Sequence, residues 1–257
     1  MELKYNNNDI NFTIKSQTIN GIICKNIDDI TDILRLRYDF SKDIKIDGKK
    51  IKENDINEYK RKISIVRKDN LTLNNYNDIY TFMIQYIKSN KIYPKNTDKK
   101  IKDSLKIVGL NQDLLNRNIN DLSNSEKELL KISVALLSNP ELLIIEDPMK
   151  GLDLKNQKKL IILFKRMIEQ YNKTIVFIST ESETIYKYCD EIIVFTNTNV
   201  IQGKTKELIN KIELLEDNNI SIPEIVEFTY LVRKIKDVKI DYYNDIRDII
   251  KDIYKHK

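Results

Sequence analysis

The sequence predicts an α/β fold with a largely parallel sheet and helices on both faces. Three observations carry the prediction. Short apolar runs suited to buried strands recur at 19–23, 63–66, 141–148 and 173–180 and again in EIIVFT (191–196). Amphipathic helical stretches fall between them, of which 122–141 and 158–171 are the clearest. Strand and helix alternate in chain order, which favours parallel pairing over hairpins.

Taken in order, Ile10, Phe12 and Ile14 alternate, a polar turn follows at Ser16–Gln17, and an edge hairpin is expected to run into the buried strand 19–23. Residues 28–38 carry Ile30, Ile33, Leu34 and Tyr38 at helical spacing behind an acidic, cap-like start. Strand, loop and helix in that order have the layout of a phosphate-binding βα unit. DIKIDGKKI (43–51) gives a short strand and a turn at Gly48. The polar, Asn-rich region 70–120 contains helical stretches and reads as an inserted helical subdomain. Leu160, Leu163, Phe164, Met167 and Ile168 then share one helical face. ESETIYKYCD is expected to be a helix, and from Gly203 onward the text reads as helical. The last two helices are placed at 222–235 and 241–254.

With 257 residues there is room for one large domain, expected over 1–210 with its helical insert at about 70–138, plus a C-terminal helical extension over 211–257. Hydrophobic residues at 41% and charged residues at 32% mark a globular chain. No run approaches the ~20 apolar residues of a membrane span, and MELKYNNND has no apolar signal core, so neither an integral membrane nor a secreted protein is expected. Cys24 and Cys189 are isolated and the one histidine, His256, sits in the tail. That pattern disfavours a zinc site and any step needing histidine. Acids and bases are mixed along a chain of net charge +5, so no nucleic-acid groove is expected.

LSNSEKELLKISVALLSNPELLIIEDPMKGLD (122–153) resembles, without a gap, the signature motif, Walker B strand and D-loop of ATP-binding cassette (ABC) ATPases. KIDGKKI and KISIVRKDN resemble that family's Q-loop region, and KTIVFISTESETIYKYCDEIIVFTNTNVIQGKTKELI resembles its H-loop region. The tail resembles that of the A component, the CbiO-type subunit, of energy-coupling factor importers. The resemblance implies a P-loop NTPase-like ABC ATPase domain with a parallel core, an edge antiparallel β subdomain, the helical insert and the C-terminal extension. It also implies ATP and Mg²⁺ as ligands, a second ABC ATPase subunit and a transmembrane component as partners, and a cytoplasmic position on the inner face of the membrane.

The motif positions are degenerate. In the Walker A run CKNIDDITD, Cys24, Ile27 and Asp29 stand where the family has glycine, Ile30 stands at the lysine, and Thr31 keeps the metal-binding hydroxyl. Those glycines let backbone amides turn toward a phosphate. Asp28, Asp29 and Asp32 bring negative charge to the same place, and like charges ~5 Å apart at a dielectric of ~20 repel by roughly 3 kcal/mol. The bland reading of these acids is helix capping and dipole complementation.

Lys68 matches the Q-loop glutamine and Thr180 the switch histidine. Asn124, Ser125 and Glu126 replace the signature glycines and glutamine, and Ser123 with Glu126 spells a capping box. Glu146 matches the Walker B aspartate and Asp147 the catalytic glutamate, so the acids are interchanged.

By position, Thr31 and Glu146 are the candidate Mg²⁺ ligands, Asp147 and Glu146 the candidate catalytic acids, and Asn26, Thr31 and Ser123 the candidate nucleotide contacts. Gly151 and Asp153 are the candidate dimer-interface residues; Tyr5 matches an adenine-stacking position, but an exposed tyrosine beside a short first strand is more often packing. Three readings stay open: a pseudo-ATPase acting as a structural or regulatory partner, an active ATPase driving vitamin or metal-ion uptake, and, ranked last because no basic stripe is present, a soluble interaction or nucleic-acid-associated cassette protein. The second requires Thr31, Glu146 and Asp147 to hold metal and water without the lysine.

Overall fold

The computed structural model of the chain describes residues 1–7, 10–37, 42–68, 78–196, 199–218, 220–236, 240–241, 243 and 245–255. Its strands form two sheets. The larger has six, ordered β10 (Val200–Lys204), β9 (Glu191–Phe195), β3 (Ile19–Ile23), β8 (Thr174–Ser179), β7 (Leu142–Glu146) and β6 (Ile63–Val66). All neighbours are parallel except β10, which pairs antiparallel with β9. The smaller sheet is antiparallel, with β2 (Asn11–Ile14), β1 (Leu3–Asn6), β4 (Ile44–Ile46) and β5 (Lys49–Lys50) in that order.

The central strands read as unbroken apolar runs because consecutive residues feed different cores. Leu143, Ile145, Ile175, Phe177, Ile192 and Val194 belong to one cluster, shared with α3 (Ile79–Ser89), α4 (Thr97–Val108), α5 (Asn124–Leu136) and α6 (Leu154–Tyr171). Leu142, Ile144, Val176, Ile178 and Ile193 face the other cluster, with α1 (Ile27–Leu34) and the small sheet. On α6, Leu160, Ile161, Phe164 and Met167 are buried, while Leu163 and Ile168 are half-buried.

One close approach fixes a glycine. A Cβ on Gly21 of β3 would lie 2.3 Å from Ile185 Cγ2 and 2.8 Å from Cys189 Sγ, so only glycine lets α7 (Ser182–Tyr188) lie this near the strand.

The helical insert, α3 to α5, joins the same cluster as the main sheet. The extension does likewise through Ile212 and Leu215 of α9 (Ile212–Asp217), Ile220, and Val226 of α10 (Glu224–Lys236). The remaining helices are α2 (Ile56–Arg61), α8 (Thr205–Leu208) and α11 (Ile246–Lys255). Among the described residues, no helix is long and apolar enough to cross a membrane.

Three expectations are refined. The edge hairpin is made by β1 and β2, whereas β3 joins the other sheet. Gly203 and Lys204 end a strand, β10, whose pairing with β9 the helical reading of that stretch overlooked. α1 ends at Leu34, and Tyr38 lies outside the described residues, as do His256 and most of the Q-loop tail from residue 69.

Candidate functional site

The site lies where β3, β6, β7 and β8 of the parallel sheet end. Only three residues separate β3 from α1, and the helix is under way by Ile27. Asn26 caps it, its side chain accepting the Asp29 N–H at 3.4 Å, with Asp28 and Asp29 in the first turn. None of residues 24–31 has a positive φ. The segment at the phosphate-loop position is therefore a capped helix start, without the left-handed turns that glycine would allow. Ile30, at the lysine position, is 5% exposed and packs in the small-sheet cluster. Cys24 is buried too, and burial, reinforced by Glu146, Asp147 and Asp29, pushes its thiol up to about 12.

Thr31 and Glu146 do meet. Thr31, fully buried, donates its hydroxyl to Glu146 Oε1 at 3.2 Å. The Glu146 side chain is 7% exposed and takes two more donors, Arg67 Nε on Oε1 at 3.1 Å and the Lys68 N–H on Oε2 at 3.2 Å. The second arm of Arg67, Nη2, pairs with Asp28. A guanidinium thus spans the Walker B acid and the first turn of α1.

Asp147 has a left-handed backbone (φ 45°) and accepts the Ser179 hydroxyl at 2.7 Å, while its N–H donates to the Ile178 carbonyl at 2.9 Å. Thr180, at the switch position, is exposed; its neighbour Ser179 is the residue that reaches the acid.

Ser123, Gly151 and Asp153 gather in a second constellation on α5 and the turn before α6. Ser123 and Glu126 form the expected capping box, in which the Ser123 N–H and hydroxyl both donate to Glu126 Oε2, at 2.9 and 2.7 Å. Those bonds hold the Glu126 carboxyl below its ordinary range. Ser125 ties this helix start to the D-loop: its hydroxyl donates to the Gly151 carbonyl and accepts the Asp153 N–H, each at 3.1 Å. Gly151 has φ +76°, and a Cβ there would sit 3.2 Å from Glu128 Cγ. Asp153 caps α6 by accepting the Asn156 N–H at 2.8 Å, a bond that lowers its own carboxyl.

Tyr5 packs in the core, the commoner role for a tyrosine at such a strand, though it is buried where an exposed ring was expected. It is 2% exposed, its ring 5.5 Å from that of Phe12, and a ring so enclosed offers no face to a base.

Arg67 and Ser179 are the two participants that motif reading overlooked. Each adjoins a motif position, Lys68 and Thr180, that had drawn attention on family grounds. The available signal was a cation directly after an apolar strand end, and a hydroxyl on the last residue of another.

The site can be tested for fit to Mg-ATP. A triphosphate needs inward-facing amides, a cation at position 30 and an open metal site beside Thr31 and Glu146. Here one first-turn amide, the Asp29 N–H, is taken by the Asn26 cap, position 30 is a buried isoleucine, acids line the entry, and Arg67 holds the carboxylate. The residues present do not fit the group.

A parallel sheet with a βα phosphate-loop layout, a helical insert and paired strand-end acids defines a nucleotide-binding cassette architecture. The ABC transporter family matches residues 8–150, more than half of the chain, and the chain belongs to that family.

Among curated relatives, the chain is 27% identical over 216 residues to "Energy-coupling factor transporter ATP-binding protein EcfA2" of Clostridium acetobutylicum, a match covering 80% of this chain and 71% of that protein. A protein of the same name from Clostridium perfringens is 27% identical over 147 residues, covering 56% of this chain and 50% of its own length. Matches to several relatives therefore span only about half of their length. In fold, the chain is similar to cbiO1 from Clostridium perfringens, described as part of the ABC transporter complex cbiONQ, with TM-score 0.64 and 23% identity over 88% of this chain and 97% of that one. The family implies ATP and Mg²⁺ as ligands, and it is against that expectation that the misfit stands.

Proposed function

We propose that the chain is a cassette subunit of an energy-coupling factor type transporter in which ATP hydrolysis has been lost. It acts as a structural or regulatory partner, seated peripherally on the cytoplasmic side of the membrane against a second ABC ATPase and a transmembrane component. The names of its relatives support the transporter class. The observation that carries the loss of hydrolysis is the start of α1. There a capped helical turn with Asp28 and Asp29, followed by buried Ile30, replaces the glycine loop and its lysine. No single substitution restores that loop, because backbone path, charge and side-chain burial all differ from what a triphosphate requires.

Hydrolysis would need a positioned base beside a metal-bound phosphate. Asp147 is the candidate, and its carboxylate is engaged by Ser179. Phosphate release from millimolar Mg-ATP tests the reading. The wild type should release no more phosphate than Asp147→Ala; release that falls in that variant would contradict it.

A further inference from the structure

We propose that Arg67 is an internal cation standing in for the divalent metal, so that Thr31 and Glu146 form a guanidinium site closed by the chain itself. The inference rests on the loss of hydrolysis proposed above and deepens it. Glu146 is a nearly buried carboxylate, which must be compensated, and its three donors come from α1, the Arg67 side chain and the Lys68 backbone. One of those donors, the Thr31 hydroxyl, stands at the position that would ligate Mg²⁺. The Glu146 oxygens a metal would need are therefore taken by protein donors, one of them the Thr31 hydroxyl itself.

Geometry separates this contact from an ordinary surface ion pair. The Arg67 side chain is 29% exposed, and the guanidinium is anchored inside by Glu146 and outside by the 75%-exposed Asp28. Both carboxylates flank one cation, whose planar fork reaches two acids from different elements at once. An ammonium would supply charge without that span. The inner acid, whose charge is hardest to leave uncompensated, receives the Nε–H bond while the solvated acid closes the outer face. The contact also links the ends of β6 and β7 to the first turn of α1.

Manganese binding to the nucleotide-free protein, read from loss of the free-ion paramagnetic resonance signal, tests the proposal independently of ATP. The wild type should leave the signal unchanged to millimolar Mn²⁺. Arg67→Ala should gain Mn²⁺ affinity by at least about tenfold, and adding Glu146→Gln should abolish the gain. Should Arg67→Ala fail to fold by circular dichroism, Arg67→Gln keeps a donor and should admit Mn²⁺, whereas Arg67→Lys keeps a charge and should exclude it. Wild-type Mn²⁺ binding as tight as the variant's, or a folded charge-free variant that gains none, would overturn the proposal. Failure of the wider reading would show separately, as Mg-ATP turnover by the wild type.

Discussion

Cys24 and Ile30, at positions matching the family's phosphate loop, are both buried in the core. Burial pushes the Cys24 thiol up to about 12 from its ordinary 9.0, which suppresses the thiolate that alkylation needs. Alkylation at pH 8 should leave native Cys24 unmodified and proceed only on unfolding; rapid native labelling, read by mass spectrometry, would contradict the burial. Ile30→Lys puts an ammonium into an apolar cluster. It should lower stability by about 2 kcal/mol or more in a denaturant titration without creating nucleotide affinity. At this scale the sequence was partly legible. The missing glycines, the acids and the isoleucine were visible as letters, and so was the capping box. What Arg67 touches was not, because its partners Asp28 and Glu146 lie 39 and 79 residues away.

Among the elements, α5 and β3 carry the sharpest expectations. Ser123→Ala removes one half of a reciprocal cap and should cost about 1 kcal/mol. The same cap has a pH signature. Glu126 is held below its ordinary 4.5 when folded, so its contribution is present above that value and is lost as pH falls through the folded one. The stability gap between wild type and Ser123→Ala should therefore shrink on acidification below about 4.5; a gap independent of pH would contradict the capping geometry. Gly21→Ala drives a methyl into Ile185 and Cys189 and should cost roughly 1–3 kcal/mol, read as a lowered thermal midpoint. The strands were legible because a doubly covered parallel sheet writes unbroken apolar runs. The helices were legible because their buried faces recur at helical spacing. β10 was harder to see, since VIQGK is short, half-exposed and contains a glycine, and it is a strand because β9 offers it an edge.

Across the molecule, the two apolar clusters keep the architecture of an ABC cassette, and on the reading proposed above the ligand site is filled by protein donors. The fold depends on burial distributed over both faces of one sheet, and this burial does not draw on a ligand at the β3–α1 turn. The central claim is that nothing in this site accepts a nucleoside triphosphate. Titration calorimetry of the purified chain with Mg-ATP tests it most directly. The account predicts no binding heat up to millimolar nucleotide from a protein shown to be folded, and a saturable isotherm in the micromolar range would contradict it.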